Sequence, residues 1–428
     1  MKYLNKILIL TFILMIISIG GVSATDADIV CTDFQENSHN NDLSLASSDY
    51  QVESSIGVND IMVSNNTPND DSNNLRASGK VIKLNASNVH EYFSEEGYVD
   101  TSKISPYDTL DLSGNFSYND IEVMIFTIPV TVTSTSQDAY LKDCTIQFHE
   151  VICSEDRMAK VSNLKINNTI ASGFNGVIVT YSDYIEISNN VIYTESASGN
   201  PIRLLYSNHI NVINNVLETW YFSKGSVFNA SWTHSCILLG DSHYNYIAGN
   251  DITVKESNPI YLSAYGCGPS NYNVIFNNTI KSSSRSEKTG LPNPSSWTYG
   301  IQMMGSYNKV LNNTIFNVFR GISSDGEGNE IVGNILFNIT GAYNEGNDGT
   351  SGGDYAIAGA SKSLIANNTI YDSKLYSFGG AGGSAIYVGP GSEVYGNKIT
   401  VSASSRGIDI GSASSGVNVY DNIINRGS

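Results

Sequence analysis

The chain has 428 residues, a net charge of −18 and only 15% charged side chains. That acidity argues against nucleic acid and anionic membrane as partners. Asn, Ser, Gly and Tyr are abundant, a mixture that suits turn-rich β-structure better than helix. Five Cys (Cys31, Cys144, Cys153, Cys236 and Cys267) form no CxxC pair and no zinc spacing. A single disulfide, Cys144–Cys153, is open to them in an oxidising compartment.

Residues 1–24 read as a secretory signal: Lys2 and Lys6, then an apolar run from Ile7 to Gly21, then the small residues Val22-Ser23-Ala24. The run is shorter than the roughly 20 residues a bilayer span needs, and no later segment qualifies. Residues 25–80 carry ten Asp or Glu against Arg76 and Lys80 and lack hydrophobic periodicity, which predicts a disordered acidic leader. Order is expected from Val81. Val81-Ile82-Lys83-Leu84 alternates like a strand, and Ser87 or Asn88 is placed to cap a short helix through Val89, Tyr92 and Phe93. Residues 81–138 therefore read as an N-terminal cap with irregular first coils, including strands at Leu110-Asp111-Leu112 and Ile128-Pro129-Val130-Thr131-Val132.

From 139 to 428 one short corner recurs. It reads Asn167-Asn168-Thr169-Ile170, Asn189-Asn190-Val191-Ile192, Asn214-Asn215-Val216-Leu217, Gly249-Asn250-Asp251-Ile252 and Asn277-Asn278-Thr279-Ile280. It continues at Asn312-Asn313-Thr314-Ile315, Gly333-Asn334-Ile335-Leu336, Asn367-Asn368-Thr369-Ile370, Gly396-Asn397-Lys398-Ile399 and Asp421-Asn422-Ile423-Ile424. The first position holds only Asn, Gly or Asp, the residues most tolerant of a left-handed backbone. Asp143-Cys144-Thr145-Ile146 reads as a degenerate copy with Cys in the Asn slot. An aliphatic residue stands three before the second Asn in every copy but the first, which has Lys165. Copies lie 21 to 35 residues apart, a solenoid period. Each unit also holds a strand of the form small-Ile-x-aliphatic, as in Gly300-Ile301-Gln302-Met303. No unit can bury its apolar side alone. Stacked as a parallel coil at about 4.8 Å per turn, the units bury their Ile in columns, and the corner amides can bond one another.

These motifs resemble the right-handed parallel β-helix repeats of pectate-lyase-like and NosD-like proteins. Residues 105–150, with Leu110-Asp111-Leu112-Ser113-Gly114-Asn115-Phe116, are similar to adhesin-like surface proteins of methanogenic archaea. The resemblance implies an all-β, right-handed parallel β-helix with a short N-terminal cap. It is weak for function, because this architecture serves lyases, hydrolases, epimerases and adhesins.

The repeat sets a register for finding a site. Outward positions of the Ile strand run Ile178, Arg203, Leu238, Tyr261, Gln302, Ser323, Ala358, Tyr387 and Asp409. Glycoside hydrolysis needs two carboxyl groups roughly 5–10 Å apart, and this row supplies no such pair. Arg203 reads as a solvated face residue. Asp183, Asp241 and Asp325 fall in the following turn, where Asp usually supports the backbone; a calcium ion is the one cofactor they suit. His209, His234 and His243 lack metal-ligand spacing, so no metal site is assigned and the copper association of NosD-like proteins transfers poorly.

Long insertions at 218–235, 281–299, 337–355 and 371–384 all follow the strand after a corner, so they should project from one side. They hold every Trp, and the residues singled out as ligand contacts are Trp220, Tyr221, Trp232, His234, Trp297 and Tyr299. Exposed rings in a row suit the apolar faces of sugars, whereas rings folded under their own loops would merely pin them. The expectation is a secreted or cell-surface protein that binds glycan or envelope components without catalysis. The alternatives are a polysaccharide lyase or hydrolase, with Asp183, Asp241 and Asp354 converging beside Arg203 or His234, and a structural spacer. No C-terminal cap is evident after Asp421-Asn422-Ile423-Ile424, so either an edge-to-edge partner covers that coil or the chain is one piece of a longer design.

Overall fold

A computed structural model of the chain describes residues 79–169, 174–195, 199–220, 235–263, 267–284, 298–339, 355–373, 375, 383–403, 405–411 and 415–427. The calls on the signal peptide and acidic leader lie outside these residues, as do those on Tyr221, Trp232, His234, Trp297 and Asp354.

The described residues form three parallel sheets of eleven, thirteen and twelve strands. Each turn of the coil contributes one strand to each. Sheet 1 takes the Ile-x-aliphatic strand, such as Val177–Thr180. Sheet 2 takes the strand that precedes the Asn corner, such as Ile185–Ser188. Sheet 3 takes the strand that follows it, such as Val191–Glu195. Like residues pair between coils: Ile260 stands beside Ile301, Val310 beside Ile331, and Ile280 beside Ile315. These columns are fully buried and make one continuous core. Each buried Ile or Leu contributes about 1.5–3 kcal/mol relative to exposure, yet only because the next coil covers it. The small residue before the Ile is a packing requirement. A Cβ on Gly300 would stand 2.6 Å from both the Gly321 carbonyl and the Ile315 side chain.

The corner works by backbone geometry plus side-chain bonding. Asn189, Asn214, Asn277, Asn312, Asn367 and Asp421 have φ between 52° and 56°, and Gly249, Gly333 and Gly396 between 66° and 71°. The following Asn side chains form the expected ladder. Nδ2 of Asn190 donates to Oδ1 of Asn215 at 3.0 Å, Asn215 to Asn250 at 3.0 Å, and so on through Asn397 to Asn422 at 2.8 Å. Each rung except the half-exposed last is buried.

The first copy of the motif needs correcting. Asn168 pairs in register with Thr194, at the end of the sheet 3 strand Lys165–Asn168, and so lies past the corner. The true corner of that coil is Asn163, at φ 60°, followed by Leu164, whose N–H donates to Oδ1 of Asn190 at 3.1 Å. Lys165 in the aliphatic slot was the sign of the slip. Asp143-Cys144 is likewise a bend between sheets 3 and 1. There Oδ1 of Asn168 accepts from the N–H of Cys144 at 3.1 Å. No disulfide joins Cys144 to Cys153; burial, with help from Asp143 and Asp120, pushes the Cys144 thiol up to about 12.

At the N-terminal end Val81–Leu84 pairs with Thr109–Leu112 and begins sheet 2. The expected short helix is a single 3-10 turn, Val89–Glu91, and the Asn88 side chain does not cap it. The chain then runs along the first strand of sheet 1: Val99 N–H donates to Ile125 O at 2.9 Å and Ile125 N–H to Gly97 O at 2.8 Å. That edge is thereby covered. At the other end Val419 and Ile424 are 45% and 46% exposed. No helix among the described residues is long and apolar enough to cross a membrane.

Candidate functional site

The long insertions all join the end of a sheet 3 strand to the start of a sheet 1 strand. Val216–Trp220 leads to Ser235–Gly240, Thr279–Ser282 to Tyr299–Met303, Ile335–Phe337 to Tyr355–Gly359, and Thr369–Ser373 to Ser384–Val388. Sheet 1 is therefore the face beside them. Its outward row has the expected register, with Tyr261 beside Gln302, Gln302 beside Ser323, and Ser323 beside Ala358. Yet the middle of this row is not solvated. Leu238, Tyr261, Gln302, Ser323 and Ala358 are at most 8% exposed, while Tyr387 further along is 43% exposed.

The chemistry gathers at the start of these strands, two residues before the Ile. Register places Arg320 beside Tyr299, and Tyr355 follows on the next coil. The Arg320 guanidinium lies 5.0 Å from the Tyr299 ring centre, 4.9 Å from that of Tyr355 and 5.3 Å from that of Phe319. Its Nη1 donates to the Tyr299 hydroxyl. The Tyr355 hydroxyl and Ser323 Oγ share a hydrogen bond at 3.1 Å. Burial raises the Tyr299 pKa, and Arg320, pulling the other way, does not offset it, so the phenol stays protonated at neutral pH. Asp325, just past the Arg320 strand, is open to solvent on one side. Protein packed around its carboxyl raises its pKa despite the opposing charge of Arg320.

Arg320 and Tyr355 were missed as a pair because the strand phase changes at the small residue between them and the Ile. Pairing runs Tyr299 to Arg320, then resumes at Ile301 to Ile322. A period-2 count from the Ile therefore places them on the inward face with it. The available signal was a large residue two before the Ile on three successive coils, two of them at the end of an insertion.

Of the six aromatic and His residues singled out, Trp220 and Tyr299 are described, and they do not come together. Trp220 is on the outward side of sheet 3, with Nε1 donating to Glu218 at 2.7 Å and Lys255 Nζ 4.7 Å above its ring. Tyr299 is at the start of a sheet 1 strand and 6% exposed. Arg203 stands between Ile178 and Leu238, as expected, and is half-buried. Asp183 Oδ1 accepts from the Asn208 N–H at 3.0 Å and from its Nδ2 at 3.2 Å, a backbone-supporting role. Asp241 lies two coils further, about 10 Å along the axis, and bonds His243 Nε2 at 3.1 Å. Because His243 Nδ1 accepts from the Asn271 N–H, Nε2 carries the proton and donates. Among the described residues no three His, Cys, Asp or Glu form a group that suits a metal ion.

The turn from sheet 1 to sheet 2 holds a second ladder that the corner motif did not reveal. Nδ2 of Asn245 donates to Asn273 Oδ1 at 3.0 Å and Asn273 to Asn308 at 3.0 Å, all three buried. Just before each sits an aromatic residue with positive φ. Tyr184, His209, Tyr244, Tyr272 and Tyr307 stack with ring centres 4.6 to 5.4 Å apart. Their faces cover one another, so this comb, exposed at Tyr244, Tyr272 and Tyr307, offers ring edges and tyrosine hydroxyls in place of open faces for a sugar ring.

A family model described as the right handed beta helix region matches residues 149–336. No curated protein matches. Among solved structures, an alginate lyase from Paenibacillus sp. str. FPU-7 is 14% identical, with a TM-score of 0.39 over 81% of this chain and 99% of that one. The Streptococcus pneumoniae surface protein and adhesin PfbA is 10% identical, with a TM-score of 0.43 over 80% of this chain and 100% of that one. The Dettilon tailspike protein is 14% identical, with a TM-score of 0.36 over 81% and 68% respectively. Likenesses this distant leave function open. Its three parallel sheets and stacked corners, with the family model matching residues 149–336, make the fold an all-β, right-handed parallel β-helix.

Proposed function

We propose that this protein is a secreted or cell-surface, adhesin-like β-helix that binds glycan without catalysis on the outward face of sheet 1. The observation that carries this is the strip Tyr299–Arg320–Tyr355, set on three adjacent coils at the base of the aromatic-rich insertions. Aromatic rings, a planar cation and hydroxyls within one strip are the groups that recognise sugars. Lyase or hydrolase chemistry is the weaker reading of the same strip. The strands Tyr299–Met303, Arg320–Ser324 and Tyr355–Gly359 contain no carboxylate, and Asp325 alone follows directly on them, whereas hydrolysis needs two. The Tyr299 phenol, held protonated by burial, is a poor proton acceptor. A glycan array on the full chain, with an assay for new reducing or unsaturated ends on each hit, tests this. Binding with unchanged oligosaccharide is expected; cleavage of a bound hit would replace the proposal with the enzymatic one.

A further inference from the structure

Gln302 lies between Tyr261 and Ser323 on the outward row of sheet 1 and is 4% exposed. Its Oε1 is buried and meets no donor among the described residues. Leaving such a group unsatisfied costs about 1–3 kcal/mol, and native structures keep few of them. The fold does not demand an amide here. The same row carries Leu238 and Ala358, buried and apolar, at equivalent positions. A polar group kept at a cost where apolar ones fit is the mark of a functional position.

The geometry points to Gln302 as the hydrogen-bonding floor of a sugar subsite on sheet 1, with Ser323 on the next coil beside it. This rests on the glycan-binding reading of the same face. A primary amide accepts through Oε1 and donates through Nε2, so its complement is a group that also does both. A sugar hydroxyl does; a carboxylate only accepts and an ammonium only donates. Ser323 Oγ, itself hydrogen-bonded to Tyr355, sits one coil away at about 4.8 Å, close enough for one sugar to reach both. Arg320 and Tyr355, half-buried, and Asp325, solvent-open, stand at the two ends of the neighbouring strands.

The test uses the full chain with Gln302→Leu and Gln302→Met, read by thermal unfolding and by titration of the tightest oligosaccharide from the array. The expected result is a melting temperature equal to or above that of the parent, with affinity at least tenfold weaker in both variants. Parent-like affinity in the variants overturns the Gln302 assignment while leaving glycan binding in place. A lowered melting temperature in both variants also overturns it, by showing that the amide serves the fold. If the parent chain binds no oligosaccharide, the glycan reading and the assignment fall together.

Discussion

Asn278 shows what one corner residue does. Its Nδ2 donates to Oδ1 of Asn313 and to the carbonyl of Ile247, each at 2.9 Å, and its Oδ1 accepts from both the N–H and the Nδ2 of Asn250. Removing the amide leaves several buried groups unmet, so Asn278→Ala should cost about 3 kcal/mol in urea unfolding. Asn278→Asp should cost more at neutral pH, because a buried carboxylate cannot donate and has no cation beside it. Burial would raise the folded-state pKa of that Asp above its unfolded value. Its penalty should therefore shrink as pH falls; a penalty that grew on acidification would contradict this account. The ladder was legible because Asn, the left-handed residue before it and the Ile after it are each required by a different force. Asn168 misled the count because the local string Asn-Asn-Thr-Ile is the same in two structural contexts, and only the long-range pairing with Thr194 separates them.

At the scale of elements, the turn between sheets 1 and 2 was less legible. Its second Asn ladder stands five residues before the first, as in Asn273 and Asn278, and was hidden because its neighbours vary among Tyr, His, Gly and Lys. Tyr272 adopts φ 58° and stacks between Tyr244 and Tyr307. Tyr272→Phe keeps the stack and should stay within about 0.5 kcal/mol of the parent. Tyr272→Val puts a β-branched residue at positive φ and should cost about 2 kcal/mol by the same unfolding assay. Near the N-terminal end, Asp111 of the strand Thr109–Leu112 is 2% exposed. Burial raises its pKa, but bonds from Lys83 and from the N–H and Oγ1 of Thr135 outweigh burial and leave it lowered. A folded pKa below the unfolded one contributes stability above the unfolded value that is lost as pH falls through the folded one. Asp111→Asn should therefore be less stable than the parent near pH 7 and lose less between about pH 4 and pH 2. Equal acid sensitivity would show that Asp111 does not set it.

For the molecule as a whole, the repeat dictates the architecture and leaves function to what each coil adds at one joint. Period and corner suffice to assign the strands Ile185–Ser188 and Val191–Glu195 to separate sheets, because burial forces that phase. Of the Arg320 strip only Tyr299 was legible, from its place in an insertion; Arg320 stands where strand phase breaks, and the members meet only when three coils stack. That strip is also where the functional account is most exposed to refutation. Calorimetric titration of an array-selected oligosaccharide into the full chain, parent against Arg320→Gln and Tyr355→Ala, tests it most directly. Affinity should fall at least tenfold in each variant, about 1.4 kcal/mol, with the melting temperature little changed. Parent-like affinity in both variants would contradict the account.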